Sequence, residues 1–163
     1  MNEILIGNIL VLIAQISTIY ISTRRDREKI LYAQFFPMTL LTVSSFLLKG
    51  YSAVAIDLIE IFRNIVILKD IKIRYREYLF MAATIILGTY FNNRGLLGLL
   101  PVVANLLQTY VLMNKNISMK YLKLTFALSF LCWTIYNYVI NSYVGVVFNF
   151  INVLVNLYEA FRK

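Results

Sequence analysis

The sequence predicts an all-α membrane protein: seven transmembrane helices, arranged as two parallel three-helix repeats joined by a linker helix. Three observations predict it: an apolar composition, apolar runs of bilayer-spanning length, and basic residues confined to alternate connections. Of 163 residues, 60% are hydrophobic and 15% charged, where a soluble domain has about half and a quarter. Mean hydropathy is +0.72. A water-soluble globular enzyme is excluded. A crossing helix takes ~20 residues, so the chain holds about seven with very short connections and no soluble domain. Residues 1–163 are therefore expected to form one membrane domain.

The apolar runs fall near 4–22, 30–48, 51–68, 77–91, 96–113, 120–140 and 142–160. The first is not a signal peptide, because Met1-Asn2-Glu3 precede it and the basic cluster Arg24, Arg25, Arg27 and Lys29 follows it, the reverse of a signal sequence. The second and third runs are separated by Lys49-Gly50, and the sixth and seventh by Asn141-Ser142. These polar breaks, within total lengths near forty residues, indicate tight helical hairpins. The fourth run is short for a crossing and is also compatible with an interfacial piece.

Basic residues test the helix count. Arg24, Arg25, Arg27 and Lys29 follow the first run, and Lys69, Lys72, Arg74 and Arg76 follow the third. Lys115, Lys120 and Lys123 follow the fifth, and Arg162 and Lys163 end the chain. That is thirteen against only Lys49 and Arg94 at the other connections, with Arg63 inside the third run. By the positive-inside rule the N-terminus is outside and the C-terminus cytoplasmic, and seven crossings satisfy the alternation. The net charge of +8 is thus topological. It does not indicate nucleic acid, and lipid headgroup binding is not needed to explain it.

Sliding the chain against itself by 92 residues places Thr42 on Thr134, Ser45 on Asn137 and Tyr51 on Tyr143. Asp57, Glu60 and Asn64 fall on Asn149, Asn152 and Asn156. Identity is low, but the rare polar residues keep register. Residues 4–68 and 96–160 therefore form two copies of a three-helix unit. An odd helix number per copy requires one more crossing, 77–91, to give both the same orientation. Parallel repeats of this kind are a transporter plan, with the site between the halves.

Asp57, Glu60 and Asn64 are spaced by three and four and share one helix face. Glu60 lies near mid-bilayer, where a charge costs ~2.5–3.5 kcal/mol on insertion scales. Such residues face a bundle interior or a wet cavity and mark pathways or coupling sites. The competing reading is inter-helix glue, with Glu60 paired to Arg63. A third arrangement has Arg63 snorkelling to the cytoplasmic edge and leaving Glu60 alone. In the sixth run Trp133, Tyr136 and Asn137 can share a face, an aromatic plane beside an amide that suits a small neutral or cationic ligand. Simple helix packing competes with that reading for Tyr136. Tyr138, Tyr143 and Tyr158 read as packing or interface-belt residues. Pro37 and Pro101 lie within apolar runs, where proline frees a carbonyl and permits a hinge or a static kink.

With no His and a single Cys132, the common routes to metal sites, disulfides and nucleophilic relays are closed. Cys132 reads as a small packing residue. No phosphate loop, dinucleotide fingerprint or catalytic triad is present. No enzymatic activity, cofactor or metal is expected.

The segments LLKGYSAVAIDLIEIFRNIVI (47–67), GLLGLLPVVANLLQTY (95–110) and WTIYNYVINSYVG (133–145) resemble the YgjV-type family of bacterial inner-membrane proteins. The shared pattern is Gly-Tyr, Arg-Asn, Leu-Pro with a following Asn, and Trp-x-x-Tyr-Asn. That family is grouped by similarity with the SWEET, PQ-loop and PnuC-like transporters. The resemblance implies an inner-membrane location, a three-plus-one-plus-three fold, and a cavity lined by Asn64, Asn156 and Trp133. Of four prolines in the first two helices of each SWEET repeat, only Pro37 and Pro101 are present, which argues against sugar as the solute.

The expected function is small-solute transport by alternating access. Asp57, Glu60, Asn64, Trp133, Tyr136, Asn137, Asn149, Asn152 and Asn156 are the expected cavity residues, with Pro37 and Pro101 as hinges. One acidic half against one amide half favours a cationic or proton-coupled solute. The alternative is a non-transporting membrane scaffold or assembly protein, in which the polar triplets are glue. The expected partners are the lipid bilayer and the solute, with a homo-oligomer left open. The topology has a direct check. A reporter that fluoresces only in cytoplasm should light up when fused after Lys163 and stay dark when fused after Lys49; a dark C-terminal fusion at normal expression overturns the seven-helix count.

Overall fold

The computed structural model describes residues 2–162; Met1 and Lys163, both counted above, lie outside it. Among the described residues there are seven α-helices and no strand. They are α1 (Asn2–Ser22), α2 (Arg27–Leu47), α3 (Tyr51–Leu68), α4 (Arg76–Tyr90), α5 (Leu100–Met113), α6 (Met119–Val139) and α7 (Tyr143–Phe161). A 3₁₀ helix, Gly95–Leu99, leads into α5. Each helix coincides with an apolar run of the sequence to within a few residues. Four stretches are long and apolar enough to cross a membrane by length and composition: α1, α2, Gly95–Met113 and α7. α4 has 15 residues, short of the usual span. α3 carries three charges, Asp57, Glu60 and Arg63, and α6 carries two lysines.

Six helices form a ring in the order α1, α2, α3, α5, α6, α7, each packed on the next and α7 on α1. α4 lies against α3 and α5. There Phe80 joins Ile56, Ile59, Val66, Val102 and Met113 in one apolar cluster, and Gly88 lets α4 approach closely. A methyl group added at Gly88 would lie 2.5 Å from Val102 Cγ2 and 3.0 Å from Ile56 Cδ1. Exchanging α1 for α5, α2 for α6 and α3 for α7 maps every contact of the ring onto another.

The correspondence extends to backbone detail. α6 starts and stops 92 residues beyond α2 (27 to 119, 47 to 139). Their N-caps, Asp26 and Ser118, differ by the same amount. Asp26 accepts the Glu28 and Lys29 amides at 3.0 and 3.3 Å, and chiefly the Lys29 amide holds its carboxyl below the usual range. The hairpin turns match as well. Lys49 and Asn141 both take the left-handed conformation, with φ of 57° and 60°. Gly50 N–H donates to Ser45 O at 2.8 Å, and Ser142 N–H donates to Asn137 O at 2.9 Å. Both turns thus close with the six-to-one bond of a Schellman motif. Both left-handed residues also have their carbonyls capped by a distant asparagine: Asn93 Nδ2, in the loop after α4, donates to Lys49 O at 2.8 Å, and Asn8 Nδ2 of α1 to Asn141 O at 3.2 Å.

Pro37 lies within α2, as the sequence suggests, but Pro101 does not interrupt a helix. It occupies the first turn of α5, where the missing N–H has no intrahelical partner to lose. A hinge by release of a carbonyl is therefore available at Pro37 and not at Pro101.

The tight α4 seat is testable. Gly88→Leu should cost about 1–3 kcal/mol by overpacking, read as a lower thermal midpoint in detergent. Ile86→Leu on the exposed face of α4 should leave the midpoint unchanged.

Candidate functional site

The ring encloses a cavity of about 80 Å³, room for roughly half a dozen waters at ~10–15 Å³ each. All six ring helices line it, and α4 contributes nothing. Of the residues expected from the sequence, Asp57, Glu60, Trp133, Asn137 and Asn149 reach the cavity, together with Pro37. Asn64, Tyr136, Asn152 and Asn156 do not; all four are fully buried in helix interfaces.

The acidic wall comes from α3. Asp57 and Glu60 are one turn apart and both about 95% buried. Ser45 Oγ of α2 lies 3.5 Å from Asp57 Oδ2, a long contact. Glu60 Oε2 lies 3.9 Å from Arg63 Nη2, and Glu60 Oε1 has no hydrogen-bond partner. Arg63 does not snorkel. It is completely buried and donates to Asn105 Oδ1 at 2.6 Å, Thr109 Oγ1 at 3.0 Å, and Asn64 Oδ1 at 3.2 and 3.3 Å. Good acceptors near a guanidinium outcompete a long reach to an interface, because desolvation is offset on the spot. Asn105 Nδ2 continues the chain to Thr84 of α4 at 2.9 Å, and Asn64 Nδ2 donates to Gln34 Oε1 of α2 at 2.9 Å.

The α7 triplet is used differently. Gln15 Nε2 of α1 donates to Asn149 Oδ1 at 3.0 Å, and Asn152 Nδ2 returns a bond to Gln15 Oε1 at 3.1 Å. Ser22 Oγ donates to Asn152 Oδ1 at 2.8 Å and accepts from Asn156 Nδ2 at 3.1 Å. Asn152 and Asn156 are thus glue between α7 and α1, while Asn149 also faces the cavity. On α6, Trp133 lines the cavity and stacks edge-on against Tyr136, ring centroids 5.9 Å apart. Tyr136 instead shares a 3.1 Å hydrogen bond with Ser52 of α3. Cys132 is half-buried, and Tyr138, Tyr143 and Tyr158 are exposed.

Packed layers bound the cavity at both ends. At the end carrying the basic connections, Ile21, Leu31, Leu112, Leu122 and Phe126 form an apolar cluster. Two braces cross it. Arg27 of α2 donates to the carbonyls of Asn114 and Ile117, at 2.8 and 3.1 Å, beyond the end of α5. Lys123 of α6 donates to Ser22 O at the end of α1, 2.6 Å away. Both place positive charge where helix carbonyls lack partners. At the opposite end Leu48, Ala53, Tyr136 and Ile140 pack together.

Sequence reasoning missed Gln15, Gln34 and Gln108, which all line the cavity, and Asn105 and Thr109, which hold Arg63. The available signal was their rarity: they are the few amides and hydroxyls in otherwise apolar runs. Among the described residues, no three or more His, Cys, Asp or Glu are placed to hold a metal ion.

The chain belongs to the Imp-YgjV family of bacterial inner membrane proteins, whose sequence profile matches residues 5–163. No curated protein and no solved structure matches it.

Removing Arg63 leaves Glu60 buried without a counter-charge. Arg63→Met should destabilise the bundle by about 3–5 kcal/mol, seen as a fall in thermal midpoint. The double variant Arg63→Met with Glu60→Gln should recover part of that loss, and an additive double variant would show that the two charges are not coupled.

Proposed function

We propose that this inner membrane protein carries a small solute across the bilayer by alternating access, moving it without transforming it. Seven helices cross the membrane, N-terminus outside and C-terminus cytoplasmic. α1–α3 and α5–α7 are parallel repeats and α4 is the linker between them, the three-plus-one-plus-three plan of the SWEET-like transporters. The observation that carries the reading is the central cavity: six helices line it, two carboxylates face it, and a packed layer closes each end. The matched turns and caps at an offset of 92 residues support the repeats.

In this mechanism the end layers are gates. The basic end opens when Arg27 and Lys123 release the carbonyls beyond α5 and at the end of α1, which water then solvates. The other end opens when Leu48 and Ile140 separate. Pro37, within α2 and lining the cavity, lets that helix bend between its two gate residues, Leu31 and Leu48. The scaffold reading draws support from Asn152 and Asn156, whose amide groups tie α7 to Gln15 and Ser22 of α1.

Labelling with a membrane-impermeant thiol reagent separates the two readings. In a Cys132→Ala background, Gln34→Cys, toward the basic end, should label only from the cytoplasmic side. Ser142→Cys should label only from outside. Lys123→Met should raise the Gln34→Cys rate and lower the Ser142→Cys rate, because opening one gate closes the other. Failure of both sites to label from either side, in folded protein, identifies a scaffold.

A further inference from the structure

Charge balance in the cavity identifies the class of solute, given that the cavity is a transport site. Asp57 and Glu60 are the charged residues lining it among the described residues. Arg63 is the charge behind them, and its donors are committed to Asn64, Asn105 and Thr109. The groups facing this pair from neighbouring helices are neutral: Gln34 and Ser45 of α2, Thr84 of α4, and Asn105, Gln108 and Thr109 of α5. Across the cavity stand Gln15 of α1, Trp133 and Asn137 of α6, and Asn149 of α7. The Tyr136 hydroxyl is engaged with Ser52, and Lys123 is bound to the end of α1. Two carboxylates face one guanidinium, which leaves one negative charge unbalanced in a site of low dielectric. Such a charge must be neutralised by a proton or by a bound cation.

Two polar atoms at this cavity lack partners, Glu60 Oε1 and Ser142 Oγ, each on a side chain more than nine-tenths buried. Apart from the carboxylates, amides and a few hydroxyls, the wall is apolar, with Val11, Leu41, Phe126, Phe130 and Trp133. Among the described residues the wall carries two carboxylates, and no group of three His, Cys, Asp or Glu is placed to hold a metal ion. An ammonium group donates up to three hydrogen bonds and carries one charge, and its alkyl portion suits an apolar, aromatic wall.

We propose that the cavity takes a small primary ammonium ion, about half a dozen non-hydrogen atoms in size, with its charged head on Asp57 and Glu60. The ammonium group and one proton compete for the same excess negative charge. Binding therefore releases the proton, and transport exchanges one for the other.

The test uses purified full-length protein and three probes of similar size: butylammonium, butanol and butyrate. Butylammonium should raise the thermal midpoint saturably and the other two should not. Its affinity should weaken on acidification between roughly pH 8 and pH 6, a range in which an alkylammonium stays charged, by up to tenfold per pH unit for a single proton. Asp57→Asn, which leaves the Glu60–Arg63 pair in place, should abolish both the preference and the pH dependence; Glu60→Gln serves as a second variant. Equal stabilisation by butanol, stabilisation by butyrate, no response to any probe, or an unchanged preference in both variants overturns the proposal. Failure of the transport reading looks different: butylammonium still binds, while the labelling of Gln34→Cys and Ser142→Cys does not alternate.

Discussion

Where lipid replaces water, a buried polar group must find its partner inside the protein, and Arg63 makes the largest such demand here. Its guanidinium has no solvent exposure. Meeting that demand fixes Asn105 and Thr109 on α5 and Asn64 on its own helix. Through these it reaches Thr84 on α4 and Gln34 on α2. One charge thus ties four helices into a single arrangement. A buried ion pair contributes little net stability over a well-packed apolar substitute. The network is therefore better understood as specifying the α3–α5 contact and holding a carboxylate at the cavity.

The related contact, α7 on α1, uses the same helix faces with neutral chemistry. Asn149, Asn152 and Asn156 stand at the positions of Asp57, Glu60 and Asn64, and they bond Gln15 and Ser22 instead of a cation. Backbone features coincide across the two units, down to the left-handed Lys49 and Asn141. Side chains at the central interfaces do not. The matched hairpins turn at the same end of the cavity, whereas the facing walls differ in chemistry, acidic on α3 and amide-bearing on α7.

Helix boundaries were legible in the sequence because apolar runs and charged breaks are one-dimensional signals. An offset of 92 residues stands out in the sequence because rare polar residues keep register where apolar ones drift. Which triplet members face the cavity was not legible. A spacing of three and four puts Asn149, Asn152 and Asn156 on one face, but only the position of α1 decides that Asn152 and Asn156 meet Ser22. Snorkelling of Arg63, one of the arrangements the sequence left open, is absent for a similar reason. Snorkelling is an argument about one helix in lipid, and it fails once α5 brings two acceptors within 3.0 Å. The role of Pro101 turned on a boundary, since the 3₁₀ helix Gly95–Leu99 moves the start of α5 to Leu100.

The basic residues carry a second consequence. Arg27 and Lys123 donate to backbone carbonyls elsewhere in the ring, Arg27 to Asn114 and Ile117 beyond α5 and Lys123 to Ser22 at the end of α1. The Lys123 brace is buried, so breaking it without admitting water would leave a charge and a carbonyl unpaired. At the far end Leu48, Ala53, Tyr136 and Ile140 pack together, and parting Leu48 from Ile140 exposes apolar surface at about 25 cal/mol per Å². Apolar packing thus holds both ends, and the basic end adds charge-to-carbonyl bonds that tie the chain ends of α1 and α5 to α6 and α2.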